Sequence, residues 1–257
     1  QSNEQLWLDA VLSLTNGSIA SKAYAVKTIA SLSSQLKENK VVIVQHRNGA
    51  ALGVLLQIAS SRSNQPHMRV NATKTLGNLT CQATAIHLVR YPNLLVTLSS
   101  LACCQNDQLA ASAALTVKKA ATHIRSSDAF HTNLLQALVT ISYSKSTTVV
   151  KWALKAYLEQ AAFPCDRVSM IAHKGLLASL TMLSNDENEF VKDHAREVLS
   201  TLAADVAIAK STGIENVLRC VVTSGQSQQG QACRKRLLAP RSYSPTSVFD
   251  VDFAAYF

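Results

Sequence analysis

One apolar signature recurs six times along the chain and dictates how it can fold. Two adjacent large or apolar residues are followed by further apolar residues at three-residue spacing. The copies start with Trp7-Leu8-x-x-Val11-x-x-Leu14 and Ala51-Leu52-x-x-Leu55-x-x-Ile58. Leu94-Leu95-x-x-Leu98-x-x-Leu101, Leu134-Leu135-x-x-Leu138-x-x-Ile141 and Leu176-Leu177-x-x-Leu180-x-x-Leu183 follow, and the sixth copy, Val217-Leu218-x-x-Val221, is incomplete. The starts step by 44, 43, 40, 42 and 41 residues. A near-constant period of this length is the mark of stacked helical units, each too small to bury its own apolar face and each completed by its neighbours.

A second signature sits about 19 residues after each start: an alanine, usually with apolar residues four and seven positions later. The alanines are Ala25, Ala72, Ala113, Ala153, Ala195 and, more weakly, Ala232. The i, i+4, i+7 spacing places each set on one stripe of a helix, and the small residue lets a neighbouring helix come close. One set breaks the rule, because Tyr157 is followed by Gln160 where a hydrophobe is expected. Polar turn sequences separate the two helices, among them Thr15-Asn-Gly-Ser18, Ser60 to Pro66 and Ser184-Asn-Asp-Glu187. Short apolar runs (Val41–Val44, Ala85–Val89, Val168–Ile171) precede the first signature, each ended by a break such as Asn48-Gly49, Pro92 or Lys174-Gly175. The pattern predicts one short and two longer helices per unit.

These residues resemble the armadillo repeat. Arg69-Val-Asn-Ala-Thr-Lys-Thr-Leu-Gly-Asn-Leu-Thr80 is similar to the family's third helix, including its asparagine at Asn78. Arg167 to Leu180 resembles its first helix, glycine break and second helix. HEAT repeats have a similar period but two helices per unit, so the extra short run favours the armadillo pattern. The resemblance implies an all-α fold, a right-handed α-solenoid superhelix of about six armadillo-like repeats, over residues 4–222. Residues 223–257 read as a degenerate last helix and a flexible acidic-aromatic tail.

The resemblance also implies that the third helices line a concave groove, with ligand-facing positions two and six residues after the alanine. Here the first of these are Lys27, Lys74, Leu115, Lys155 and Glu197, and the second are Ser31, Asn78, Lys119, Glu159 and Thr201. Lys27, Lys74, Asn78, Lys119 and Lys155 are therefore the candidate partner-binding residues. The importin-type groove pairs tryptophan with asparagine at these positions, and only Asn78 matches, which argues against recognition of nuclear signals in that manner. A ladder of lysines suits an extended acidic or phosphorylated segment instead. The chain has 25 Lys and Arg against 16 Asp and Glu, a formal charge of +9, which favours acidic partners in general.

The expectation is a non-enzymatic scaffold or adaptor for a protein or peptide, working as a monomer without a cofactor in the cytoplasm, the nucleus or both. Nucleic acid is the second choice of partner: lysines can bind phosphate, but aromatics are only 5% of residues and none occupies a predicted groove position, so bases have nothing to stack on. A third reading is the partner-recruiting part of a larger multidomain protein. The first residue is Gln1 rather than methionine, which leaves a processed or truncated product open.

The remaining chemistry-bearing residues offer little. The seven histidines have no partner at triad spacing, and no phosphate-cradling loop or metal-binding helix motif occurs. Asp193, His194 and Glu197 are close in sequence but read as surface-charge alternation rather than a metal site. The six cysteines lack metal or C-x-x-C spacing and read as reduced thiols, most of them on apolar stripes. No run of eighteen apolar residues suggests a transmembrane span. In the tail, Arg234-Lys-Arg236 is a weak nuclear-localisation signal and Ser244-Pro245 a weak phosphorylation signal. Val248–Phe257 combines Asp250 and Asp252 with four aromatic rings and no base, so it is complementary to the basic groove.

Overall fold

The structure is a computed structural model and describes residues 3–35, 37–173 and 175–203. The sixth unit, Ala232, the basic cluster and the acidic-aromatic tail lie outside these residues. Among the described residues there are helices and turns and no strand.

Five units follow one another. Unit 1 consists of α1 (Asn3–Ser13) and α2 (Ile19–Gln35). Unit 2 has three helices, α3 (Lys37–Gln45), α4 (Ala50–Ser60) and α5 (Pro66–Leu79). Unit 3 repeats the pattern with α6 (Ala85–Arg90), α7 (Leu94–Ala102) and α8 (Asp107–Ala121). Unit 4 contains α9 (His131–Ser142) and α10 (Thr147–Ala161), and unit 5 contains α11 (Pro164–Ala172), α12 (Leu176–Leu183) and α13 (Glu189–Ala203).

Local chemistry sets the boundaries. Pro66 and Pro164 open α5 and α11, where a missing N–H is tolerated. The Asn106 side chain caps α8 by accepting from Leu109 N at 2.9 Å. The breaks before the second helices use left-handed residues: Gly49 (φ 91°), Asn93 (φ 60°) and Gly175 (φ 85°). They turn the short helix sharply into the next one, so both can reach the same core.

Both signatures point inward. Each repeated alanine from Ala25 to Ala195 is at most 1% exposed, as are Ile29, Leu76, Val117, Tyr157 and Leu199. In units 2 to 5 the paired residues of the first signature are also buried. Consecutive third helices pack side by side, α2 on α5, α5 on α8, α8 on α10 and α10 on α13, forming one continuous layer. The second helices form another layer, with α7 packed on α9 and α9 on α12. Unit 1 differs, because its Trp7 is 39% exposed at the register position that Ala51, Leu94, Leu134 and Leu176 bury.

Two expectations need correction. Unit 4 has no short first helix: Thr122 to Phe130 form turns. The sequence there, with Ser126-Ser-Asp128, lacks an apolar stripe, and the Asp128 carboxylate accepts from Arg125 N at 2.8 Å to stabilise a turn instead. Of the described cysteines, Cys104 packs against the core, but none is fully buried. Cys103 and Cys165 are exposed and Cys81 and Cys104 half-buried, because all four fall at helix ends rather than in the packed middle.

Polar side chains fill the space of the missing helix. Gln160 is fully buried and its amide donates to Ala121 O and to Ile124 O, the latter at 3.0 Å. His131 Nε2 donates to Gln160 Oε1 at 2.7 Å. The fully buried Asp166 accepts from Ser126 N at 2.6 Å, and Arg125 lies 3.9 Å from its other oxygen. Arg125 stacks 3.9 Å above the Phe163 ring and donates to Thr122 O at 2.8 Å. The irregular Gln160 in the sequence is thus the residue that ties the turn to α10.

Candidate functional site

The third-helix layer carries the candidate groove. Because Ala25, Ala72, Ala113, Ala153 and Ala195 occupy equivalent buried positions on stacked helices, residues two further on occupy one row along the layer. Lys27, Lys74, Lys155 and Glu197 in that row are exposed, and Leu115 is half-buried. Lys27 and Lys74 have no acidic residue within ion-pair distance among the described residues. The Lys155 ammonium lies 5.1 Å from the centre of the Trp152 ring.

Lys119 behaves differently from the other lysines. It is half-buried and its ammonium donates to Gly77 O at 3.1 Å, next to Asn78. That carbonyl is reachable because residue 77 has no side chain: a Cβ there would lie 2.8 Å from Thr116 Oγ1. Burial pushes the Lys119 ammonium below its ordinary 10.5, and the charges of Lys40 and Lys118 push it the same way. The structure therefore brings Lys119 beside Asn78 and adds Lys40, which no spacing rule could find because it lies on a short first helix.

Glu159, at the corresponding position of unit 4, is neutralised. Lys118 holds one carboxylate oxygen at 2.5 Å, and the Thr122 hydroxyl donates to the other at 2.8 Å. Near it, burial lowers His123 below its ordinary 6.5; Arg125 and Lys118 lower it further and Glu159 opposes them. The balance of charge over units 1 to 3 remains positive.

Other groups are less suited to chemistry. Among the described residues no three His, Cys, Asp or Glu side chains come together as a metal-ligand set. His194 instead stacks on Phe190, with ring centres 3.8 Å apart, and its Nδ1 donates to Phe190 O at 2.9 Å. Burial and the adjacent Cys104 raise the Cys103 thiol, so a nucleophilic thiolate is disfavoured. No single described helix is long and apolar enough to cross a membrane. A cleft of about 1510 Å³ lies along α7, where this short helix is flanked by the longer α4 and α9. Its wall holds Arg62 and Arg69 and no carboxylate, beside Val96, Cys103 and Gln136.

This arrangement, helical units with a stacked third-helix layer, is an armadillo-type repeat fold. Solved structures of designed armadillo repeat proteins share it. One, designed for modular peptide recognition, superposes with a TM-score of 0.62 at 17% identity, over 89% of this chain and 98% of that one. A second designed armadillo protein also gives 0.62 at 17% identity, covering 96% and 97% of the two chains. A third, solved in complex with peptide (KR)4, gives 0.59 at 16% identity, covering 90% and 98%. No protein-family model matches the sequence, and no curated protein matches it significantly.

Proposed function

We propose that the protein is a non-enzymatic scaffold that binds an extended acidic or phosphorylated protein segment along its third-helix layer. The observation that carries this reading is the row of exposed lysines, Lys27, Lys74 and Lys155, at one register on stacked helices. Neighbouring helices in such a layer lie about 10 Å apart. An extended chain rises about 3.3 Å per residue and so presents a side chain to each unit every three residues. The half-buried Asn78 and Lys119 lie between Lys74 and Lys155 and offer donors to the segment's backbone or carboxylates.

Two further points support the reading. The structural neighbours include proteins designed for peptide recognition, one solved with peptide (KR)4. In the present chain the groove positions of units 1 to 3 are basic or neutral, so the complementary segment has the opposite sign. The rigid layer also keeps the lysines apart at fixed spacing, so little ordering cost falls on the protein when the segment binds.

Fluorescence anisotropy of a labelled acidic peptide, with the protein at low salt, tests the reading. Lys27→Glu/Lys74→Glu/Lys155→Glu changes only exposed residues and should leave the far-UV circular dichroism unaltered. Its affinity should fall about tenfold or more. Unchanged affinity would remove the lysine row from the function. Equal binding of unrelated single-stranded nucleic acids, with a steep salt dependence, would favour a phosphate-binding role instead.

A further inference from the structure

The sign of the third-helix layer changes along the solenoid. α2 and α5 contain basic residues and no acid. α8 contains one carboxylate, Asp107 in its first turn, and α10 contains only Glu159, which Lys118 neutralises. α13 contains three: Glu189, Asp193 and Glu197. Glu189 is held by Lys192 at 2.5 Å. Asp193 and Glu197 are different. Both are exposed, they lie four residues apart on one helical face, and neither has an ion-pair partner among the described residues. They flank Ala195, and Glu197 occupies the register position that is lysine in units 1, 2 and 4.

Unit 4 adds two lysines to the basic part of the layer, both set over aromatic rings. Lys151, which precedes Ala153 by the same two residues that separate Asp193 from Ala195, lies 4.4 Å over the Phe190 ring of α13. Lys155 lies near Trp152. The row therefore runs from unpaired cations at α2 and α5 to unpaired carboxylates at α13. The other cation of α13, Arg196, is half-buried.

We propose that the groove is polarised and selects a segment whose acidic stretch lies over units 1 to 3 and whose basic stretch lies over unit 5. This inference rests on the groove reading above and adds the partner's charge order to it. A uniformly acidic segment would gain at Lys27 and Lys74 but meet Asp193 and Glu197 at the other end. Specificity of this kind comes as much from repulsion of the wrong segment as from attraction of the right one. From α5 to α13 there are three helix-to-helix steps, on the order of 30 Å. That distance puts the peptide residues facing Lys74 and Glu197 about nine extended residues apart.

The test uses the full chain and two labelled peptides of equal length. One has a glutamate block, a neutral spacer and a lysine block; the other has glutamate blocks at both ends. At about 50 mM salt, where screening sets in only beyond about 14 Å and each block still feels the charges it lies over, the mixed peptide should bind about tenfold tighter than the doubly acidic one. Asp193→Lys/Glu197→Lys should invert that ranking. The mixed peptide is made in both block orders, and the tighter-binding order is the one compared, because chain direction decides which block lies over unit 5. If the wild-type protein prefers the doubly acidic peptide, or the variant leaves the ranking unchanged, the polarity is overturned while the groove reading stands. If neither peptide binds, the groove reading itself fails and the polarity with it.

Discussion

The meeting of α5 with α8 and the meeting of α8 with α10 solve one packing problem by different means. At the first, the join depends on an absent side chain: Gly77 lets Thr116 and Lys119 of α8 reach the α5 backbone. At the second, a whole short helix is missing, and buried Gln160, His131 and Asp166 hold the replacement turn by hydrogen bonds. A regular junction can be built from small and apolar residues whose only requirement is fit. An irregular one leaves backbone groups without helical partners, and those groups must be satisfied inside the protein. The second junction should therefore be more sensitive to a single polar-to-apolar change than the first is to a steric one.

Four experiments test that contrast. Gln160→Leu should have the largest effect, a loss of about 3 kcal/mol, because it strands the His131 N–H and leaves the Ala121 and Ile124 carbonyls with Arg125 as their remaining side-chain donor. Hydrogen exchange should accelerate through residues 122–131 more than in α5. Protection unchanged there would mean that the turn does not depend on Gln160. Asp166→Asn should cost about 2 kcal/mol, less than breaking a close buried pair, because Arg125 is 3.9 Å away and partly solvated. A urea midpoint equal to wild type would show that the carboxylate charge contributes nothing to the turn.

Gly77→Ala should cost about 1 kcal/mol net at the regular junction. Crowding against Thr116 outweighs the better helix propensity of alanine, which offsets about 1 kcal/mol. Adding Thr116→Ala should restore stability, and failure of that rescue would remove the steric explanation. The smallest effect concerns pH. Burial, Arg125 and Lys118 keep His123 below its ordinary 6.5, so near and below that value the unfolded chain binds more protons than the folded one. Stability contributed by the neutral ring is thus complete above pH 6.5 and declines as pH falls through that value. His123→Gln should shallow the decline between pH 7.5 and 5.5 measured by urea denaturation, and identical slopes would contradict it.

Much of the fold was legible because burial repeats with the period. The alanine stripe and the paired apolar residues identify the faces that pack, and in units 2 to 5 those faces are buried. The fourth unit's turn was harder to read. Its only warning was Gln160 in an apolar register, and a single glutamine does not say which carbonyls it will meet. The exposure of Cys103 and Cys165 was hard to read for a related reason: apolar character does not distinguish a helix middle from a helix end. The candidate groove divides similarly. Register alone places Lys27, Lys74 and Lys155 in one row, but the bond from Lys119 to Gly77, the proximity of Lys40 and the neutralisation of Glu159 depend on distances between units. Those distances arise from packing of residues more than forty positions apart, which no local pattern encodes.

The proposed function requires that ligand lie along the third-helix layer rather than in the cleft beside α7. Amide chemical-shift mapping of the isotope-labelled protein, titrated with the mixed-charge peptide, tests this directly. Perturbations should cluster around Lys27, Lys74, Asn78, Lys119, Lys155 and Glu197. Perturbations confined instead to the cleft around Arg62, Val96 and Gln136 would contradict the account.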